Sequence, residues 1–341
     1  MGKTLEIARD RAFDESKTVL PVEMARGVYV ENPPSAAALK LMHLLIAKAG
    51  GRMADEVHHE LRMADIKAVD GMRNHDRATL RALFTQLRAA TLVYDDTKTQ
   101  TEIIGGFMDE IRIDYRHEVS DDLLIKWWFG RTFRHLAAES NHWAILDRQT
   151  IFALSSKYAI LLFQHIASFA NYEHIARKTF TVPELRAILG VPEGKIKRFA
   201  NLKKDVLDLA IAEINQTSRL VLTATPKKIG RTVAAIEIAW REKDHDQKQE
   251  TKHELAVSKV GRKARRDGAA EMMVRTFPAS GSIAYTQWGD VARQELPQPR
   301  RDLDLVAERF RNWCNTKPIP LDAHNIEAIF RKFCQREEPA R

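Results

Sequence analysis

The sequence predicts an α+β fold that is mainly helical, and three features of the chain lead to this prediction. Two regions each show amphipathic helical periodicity that gives way to the alternating apolar residues of strands. The order of these elements is the same in both regions, although the regions share no obvious residue identity. The part after Trp240 is more polar and regains helical periodicity only towards its end. We therefore expect two tandem winged-helix domains, each with three helices and a hairpin, and a helical C-terminal extension.

The first domain is predicted at residues 19–145. Its first helix follows the Pro33-Pro34 pair, because proline forbids an earlier helical start. Its third helix opens at Asn74, a residue type that caps helix N-termini. The Gly105-Gly106 pair and polar residues separate two runs rich in β-branched and aromatic residues, which indicates a hairpin. The predicted helices are 35–49, 63–69 and one from 74 onwards, and the predicted strands are 92–94 and 111–115.

The second domain is predicted at residues 146–241. A broad apolar face predicts its first helix. Thr181 and Gly190 are a natural N-cap and C-terminal residue for the second helix, and the third begins near Asn201. Apolar residues alternate along both strands of the hairpin, so one face of each strand is expected to be buried. The predicted helices are 147–169, 184–189 and 201–215, and the predicted hairpin turn is 226–231.

Residues 242–275 are predicted to be a charged linker, and residues 276–341 a helical extension. The run after Trp240 mixes acidic and basic residues without apolar periodicity, which is typical of a solvated segment. A basic cluster follows at Lys259, Arg262, Lys263, Arg265 and Arg266. Helical periodicity returns over residues 303–313 and 325–333.

The composition favours an anionic partner and disfavours several classes of protein. The 341 residues include 54 Lys and Arg against 46 Asp and Glu, and this net charge of +8 favours nucleic acid or an anionic surface. Cys314 and Cys334 are too few for a disulfide framework or a four-thiolate zinc site. Acidic residues stand where a secretory signal needs an apolar core, and no stretch reaches membrane-spanning length. We expect a cytoplasmic protein without metal, cofactor or membrane contact.

The strongest functional signal is a basic segment at the start of the third helix of the second domain. Helix-turn-helix proteins insert this end of the helix into the major groove, where Lys and Arg neutralise phosphates and Asn and Arg pair with base edges. The basic hairpin tip is placed to reach the DNA backbone or the minor groove. The predicted DNA-binding residues are Lys195, Lys197, Arg198, Asn201, Lys203 and Lys204 near the helix and Lys227, Lys228 and Arg231 in the hairpin. The alternative is a solvated helix start whose charges only maintain solubility.

The first domain carries a weaker version of the same signal. Arg73, Asn74 and Arg77 open the corresponding helix, but Asp76 dilutes their charge. The hairpin tip at Asp95-Asp96 would repel phosphate. DNA contact, an ordinary surface and dimerisation through the hairpin all stay open for this domain.

Catalytic motifs are not evident in the sequence. It has no His-x-His pair of the kind that holds the metal in rolling-circle nickases, and no Gly-x-x-x-x-Gly-Lys loop to bind nucleotide phosphates. The adjacent His58 and His59 point in different directions on a helix, so a metal site there is not expected. The acidic pair Asp121-Asp122 lacks metal-ligand spacing. The run Trp127-Trp128-Phe129 is better explained as core than as a base-stacking surface.

Five short runs of the second region resemble a known family when they are taken together. They are Thr179–Arg186, Arg198-Phe199, Leu202–Asp208, Ala210–Asn215 and Lys228–Arg231. They resemble the second winged-helix domain of the iteron-binding plasmid replication initiators, and the resemblance extends over about residues 19–240. It implies a monomer that binds direct repeats of double-stranded DNA at an origin, a homodimer formed largely through the first domain, and recruitment of a host initiator and helicase.

Two other functions compete with replication initiation. A winged-helix transcriptional regulator has the same DNA chemistry, and a single inverted repeat as the target with no origin activity favours it. A nickase or primase is the third hypothesis. It is disfavoured by the missing ligand motifs, and an assay of metal-dependent cleavage or synthesis tests it.

Overall fold

The computed structural model describes residues 2–337 except 12–13, 15, 27–28, 32, 70, 97–98, 121, 171, 173, 258, 260, 268–275 and 324–325. The chain divides into two units, Met1–Lys252 and His253–Arg341. The first unit contains both predicted winged-helix domains. In the described part of the chain, no helix is both long and apolar enough to cross a membrane.

The first domain contains more strands than its sequence predicts. Helix α1 Lys3–Asp10 precedes it, and its own helices are α2 Val22–Arg26, α3 Ala36–Ala49, α4 Met63–Lys67, α5 Arg77–Ala89 and α6 Arg131–Glu139. Its strands are β1 Lys17–Pro21, β2 Tyr29–Glu31, β3 His59–Arg62, β4 Thr91–Asp96, β5 Thr101–Gly106, β6 Met108–Asp114, β7 Leu124–Phe129 and β8 Trp143–Asp147. Short 3₁₀ turns lie at Gly50–Arg52 and Glu118–Ser120. Ser35 caps α3 by accepting from the amide of Ala38, as the predicted helix start requires.

The strands of this domain form three antiparallel sheets. One sheet has the order β3-β7-β6, a second has the order β2-β4-β5, and β1 pairs with β8. The predicted hairpin between residues 92–94 and 111–115 is therefore wrong, because these strands belong to different sheets. The intervening strand β5 escapes prediction because its burial lacks the period of two: Ile104 is exposed and Gly105 and Gly106 are half-buried. The hairpin of the winged helix is β6 and β7.

The second domain follows the predicted order. Its helices are α7 Arg148–Ala153, α8 Lys157–Ala170, α9 Val182–Ile188, α10 Phe199–Asn201 and α11 Asp208–Thr217, and its strands are β9 Arg177–Thr181, β10 Leu220–Ile229 and β11 Thr232–Glu242. A π-helical turn, Leu202–Leu207, joins α10 to α11. The predicted helix over 147–169 is interrupted at residues 154–156, where α7 ends and α8 has yet to begin.

The two domains have the same topology. The strand order β10-β11-β9 corresponds to β6-β7-β3, and in each case a helix pair separates the first strand from the hairpin. Strands β4 and β5 are an insertion between α5 and β6 of the first domain. The predicted fold class, mainly helical α+β with two tandem winged-helix domains, is confirmed.

One continuous core runs through the first unit. Leu185, Leu202 and Ile238 of the second domain belong to the same buried cluster as Leu39 and Leu80 of the first. Trp127 and Phe129 are fully buried on β7, so these two aromatic residues are core, as predicted, whereas Trp128 is half-buried on the opposite face of the strand. This shared core includes residues of α8 and holds the two winged helices together.

Three buried histidines make the stability of this unit depend on pH. Burial lowers the pKa of His43, His59 and His165 from 6.5 to about 4. Since the unfolded chain takes up these protons near pH 6.5 and the folded chain resists them, stability is complete above that pH. We expect the free energy of unfolding to fall as the pH drops from 6.5 towards 4, by about 1.4 kcal/mol per unit of pKa depression at each site.

His59→Phe isolates one of these contributions. Its ring lies 5.4 Å from Trp127 and 5.3 Å from Phe129 between centroids, and its Nε2 has no partner among the described groups, so phenylalanine suits the site. Urea unfolding should show a weaker pH dependence for this variant, with no loss of stability near neutral pH. The exposed His135→Phe serves as the control. An unchanged pH profile in His59→Phe would contradict the assignment.

The run after Trp240 forms a helix, α12 His245–Ala256, where a solvated linker is predicted. Polar contacts stabilise this helix, which lacks apolar periodicity. The buried Lys243 ammonium donates to the Asn215 carbonyl and to Thr251 Oγ1. Glu242 pairs with Lys248 at 3.1 Å. These contacts hold the start of the helix against the second domain.

The second unit has its own hydrophobic core. Its further helices are α13 Arg262–Arg266, α14 Gln287–Glu295, α15 Leu303–Thr316 and α16 Ile326–Gln335. Phe277, Trp288, Phe310 and Phe330 lie at the centre of the core. Helices α15 and α16 agree with the predicted extension, whereas α14 is not predicted because its few apolar residues give a weak pattern. The basic cluster is partly engaged within this unit, since both Arg262 and Arg265 bind the buried Glu254 carboxylate.

Candidate nucleic-acid interface

The third helix of the second domain is continuous from Phe199 to Thr217 and begins before its predicted start. Arg198 is the N-cap residue, with extended backbone angles of −79° and 130°. The predicted start near Asn201 is two residues late, because the helix begins at Phe199 and Asn201 lies in its first turn. Both side chains are exposed. They therefore occupy the end of the helix that can enter a major groove.

The loop before this helix is held open by an arginine that the sequence analysis did not single out. Arg186 of α9 donates to the carbonyl oxygens of Lys195 and Ile196, the second at 2.8 Å. Ile196 has a φ of 48°, which is strained for a β-branched residue. The two hydrogen bonds stabilise this conformation and leave Lys195 and Lys197 exposed. In the sequence, this role of Arg186 is indicated only by its position as a polar residue in the last turn of α9.

The π-helical turn decides which lysine is available to a ligand. Residues five apart do not share a face of an α-helix, but the wider π turn brings Lys203 Nζ to 2.6 Å from Asp208 Oδ2. Lys204 is exposed and has no ion-pair partner among the described residues. The same holds for Lys195, Lys197 and Arg198. Of the six predicted residues here, Lys203 alone is engaged by an acidic neighbour in the described part of the chain.

The wing of the second domain is longer than predicted. Strand β10 continues to Ile229, and the turn is Gly230-Arg231 rather than residues 226–231. Gly230 has a φ of 60°, which the first position of such a two-residue turn requires. Lys228 and Arg231 are exposed near the tip, whereas Lys227 lies on the strand with its Nζ 3.4 Å from Glu237. Ile229 is 77% exposed, an apolar tip residue that the sequence analysis did not propose.

A buried carboxylate links α11 to the start of α8. Glu213 of α11 is 4% exposed and accepts from the amides of Ser155 and Ser156, at 2.8 and 3.1 Å, and from the Ser155 hydroxyl. It thus places a negative charge at the N-terminus of α8, where the helix dipole stabilises it. The break between α7 and α8 exists because these amides bind Glu213 instead of continuing a helix.

Glu213→Ala is expected to lower the free energy of unfolding by about 2–3 kcal/mol, because it leaves buried amides without an acceptor. Urea or thermal unfolding measures the loss. Glu193→Ala, at an exposed position of the loop, is the matched control and should change stability little. Equal stability of the two variants would show that Glu213 is not a structural anchor.

In the first domain, the third helix of the winged helix, α5, begins later than predicted. Asp76 is its N-cap and accepts from the Thr79 amide at 2.8 Å, so Arg73 and Asn74 lie in the preceding loop. Asn74 as the cap is wrong because the Asp76 carboxylate takes that role. Arg73 and Asn74 are nevertheless exposed.

Arg77 connects α5 to the wing of the first domain. Its Nε lies 3.0 Å from Glu118, and its guanidinium lies 4.3 Å from the ring centre of Tyr115. Both partners belong to the segment between β6 and β7. The wing tip is therefore this segment, which carries the exposed Glu118, and not Asp95-Asp96. Further along α5, Arg81 and Arg88 are exposed.

The described residues of these segments do not form a metal site. Among the residues that the structure describes, no three His, Cys, Asp or Glu side chains lie together as a metal site requires. The arrangement consists of exposed cations and amides near two helix starts and on the wing of the second domain, which suits binding to a polyanion.

Sequence comparison identifies the family. A family model described as "Initiator Replication protein, WH1" matches residues 28–167, and one described as "Initiator Rep protein, WH2" matches residues 181–240. The chain belongs to the Rep replication initiator family. The first match contains α3 to β8 and most of α8, and the second contains the recognition helix and the wing of the second domain, so each winged helix of this initiator has its own family counterpart.

Two solved structures are similar to this initiator. The crystal structure of Pi initiator protein in complex with iteron DNA has 18% identity and a TM-score of 0.47, and the match covers 68% of this chain and 99% of that one. The structure of selenomethionine derivatives of domain 2 and domain 3 of RctB has 10% identity and a TM-score of 0.38, with coverage of 60% and 80%. No curated protein matches the chain.

Proposed function

We propose that the protein is a plasmid replication initiator that binds repeated double-stranded DNA sites at an origin to start replication. The observation that carries this proposal is that a member of the Rep initiator family contains two winged helices of the same topology, each with an exposed basic helix start. Two DNA-binding helices on one chain suit a site that spans more than one segment of major groove. The direct repeats follow from the resemblance to iteron-binding initiators.

Within this function, the contacts of the second domain divide into two kinds. Lys195, Lys197, Lys204, Lys228 and Arg231 are exposed cations suited to phosphates, which fix position but carry no sequence information. Arg198 and Asn201 lie in the first turn, where side chains reach base edges, and both residue types make paired hydrogen bonds to guanine or adenine. Lys203 and Lys227 reach DNA only by exchanging their carboxylate partners.

The first domain contributes a second DNA contact through α5 in this proposal. Its topology places α5 where the second domain has its recognition helix, and α5 contains three arginines and no acidic residue. Arg73, Asn74 and Arg77 flank its start. Because Arg77 holds the wing tip, its contribution includes positioning that wing.

The remaining parts of the proposal follow from the same assignment. The protein acts in the cytoplasm, needs no cofactor and catalyses no reaction itself. It exists as a monomer in equilibrium with a homodimer formed through the first domain, and it recruits a host initiator and helicase. We place the domain boundaries at residues 19–145, 146–241, 242–275 and 276–341.

Selection from a pool of random duplexes tests sequence-specific binding and identifies the preferred site in the same experiment. The full chain should enrich a single motif that survives competition by unrelated DNA. The motif should then occur as direct repeats near the coding region. An inverted repeat as the only genomic match favours the transcriptional regulator, and a pool without enrichment contradicts specific binding.

A further inference from the structure

A cavity of about 300 Å³ lies within the first unit, between the two winged-helix domains. Helices α3 and α5 and strand β4 line it from the first domain, α9 and β9 line it from the second, and α8 closes it. Its apolar lining includes Leu39, Met42, Leu92, Leu161, Phe180 and Ile188. This volume is at the lower end of the range for small-molecule sites, roughly 300–1,000 Å³.

One buried polar atom in this apolar lining has no partner. His165 lines the cavity and is 5% exposed, and its Nε2 has no hydrogen-bond partner among the described groups. Leaving such an atom unpaired costs free energy that a bound group would recover. The other polar residue deep in the lining, Gln164, is already satisfied by His43 and by the Met24 carbonyl.

The state of the imidazole identifies what its partner must supply. The Ala25 backbone acts to raise the pKa of His165, which is the effect of a carbonyl that accepts from the ring, and we therefore assign the proton of the neutral ring to Nδ1. Burial lowers the pKa of His165 to about 4, which keeps the ring neutral near neutral pH. Nε2 is then a lone-pair acceptor, and the partner it lacks is a donor.

Two cations stack on one aromatic residue of the lining. Arg26 lies 3.7 Å from the ring centre of Phe169 and donates to the Ser168 carbonyl at 2.6 Å, while Lys178 lies 4.3 Å from the same ring centre. Phe169, Arg26 and Lys178 all line the cavity.

We propose that this cavity binds a small, mostly aromatic molecule carrying one hydroxyl or N–H group that donates to Nε2 of His165. The apolar walls take the aromatic body, and the imidazole orients its single donor. Since both domains supply the lining, an occupant stabilises their packing against each other and raises the unfolding temperature of the chain.

A pair of matched probes tests the proposal on the full chain in the absence of DNA. 2-Naphthol has the required donor, and 2-methylnaphthalene has the same shape without it. Calorimetric or fluorescence titration should show saturable one-site binding of 2-naphthol. Its affinity should be about tenfold higher than that of 2-methylnaphthalene, because it makes one additional hydrogen bond. Only 2-naphthol should raise the unfolding temperature strongly. Absence of saturable binding, or equal affinity for the two probes, overturns the proposal.

Two variants locate the site. His165→Phe should bind both probes alike, because the acceptor is gone. Ala187→Trp, at an exposed position that lines the cavity, should block both probes, whereas the exposed Ala82→Trp on α5 should bind like the parent. Binding of 2-naphthol that is unchanged in Ala187→Trp would place it elsewhere and also overturn the proposal. Because no DNA is present, this outcome is independent of the proposed function.

Discussion

Neutralising four exposed cations of the second domain is expected to flatten the salt dependence of DNA binding by about three to four units of slope. The replacements are Lys195→Gln, Lys197→Gln, Lys204→Gln and Arg231→Gln. Each phosphate contact releases counterions and contributes about 0.9 to the slope of log affinity against log salt. Binding should weaken on specific and unrelated DNA alike, because phosphate contacts carry no sequence information. Fluorescence anisotropy at several salt concentrations measures both quantities.

A control with the same loss of charge separates position from net charge. Four exposed lysines outside the predicted interface serve this purpose: Lys252, Lys263, Lys317 and Lys332. Their replacement by glutamine should leave the slope nearly unchanged. If both quadruple variants flatten the slope equally, the basic segment is not the DNA interface and only overall charge matters.

The second large effect is expected in specificity. Arg198→Ala and Asn201→Ala should each reduce the discrimination between the true site and a scrambled duplex by about 1–3 kcal/mol, because each removes a paired contact to a base edge. Affinity for scrambled DNA should change much less. Competition titrations with the two duplexes give the difference directly.

Lys204→Ala is the matched control for specificity, since it lies in the same exposed helix start and is assigned to phosphate. It should weaken both duplexes equally. Equal losses on both duplexes for Arg198→Ala or Asn201→Ala would assign these residues to the backbone as well.

The sequence predicts the second domain well because its local signals agree with its tertiary contacts. Thr181 and Glu184 form a capping box at the start of α9, and Leu220, Leu222, Ile236 and Ile238 are buried as the alternation requires. The same reasoning fails in the first domain, because β5 has no alternating pattern. When β5 is missed, β4 and β6 are read as the two strands of one hairpin, although they belong to different sheets. The reasoning fails again at α12, which is stabilised by polar contacts instead of an apolar face.

Details of the candidate site depend on geometry that residue order does not contain. The pairing of Lys203 with Asp208 requires a π-helical turn, and the contact of Arg77 with Glu118 joins residues from two separate elements. Arg186 contacts the loop only because the chain folds back to place the carbonyls of residues 195 and 196 beside it. The basic segment at Lys195, Lys197 and Arg198 can be predicted from the sequence, because a run of cations is evident without knowledge of the tertiary contacts.

Footprinting of the DNA that flanks the coding region tests the central claim most directly. A replication initiator that reads repeated sites should give regularly spaced protection over direct repeats, persisting at salt concentrations that remove binding to unrelated DNA. Protection without sequence preference, lost as salt increases, would contradict a replication initiator that reads repeated sites.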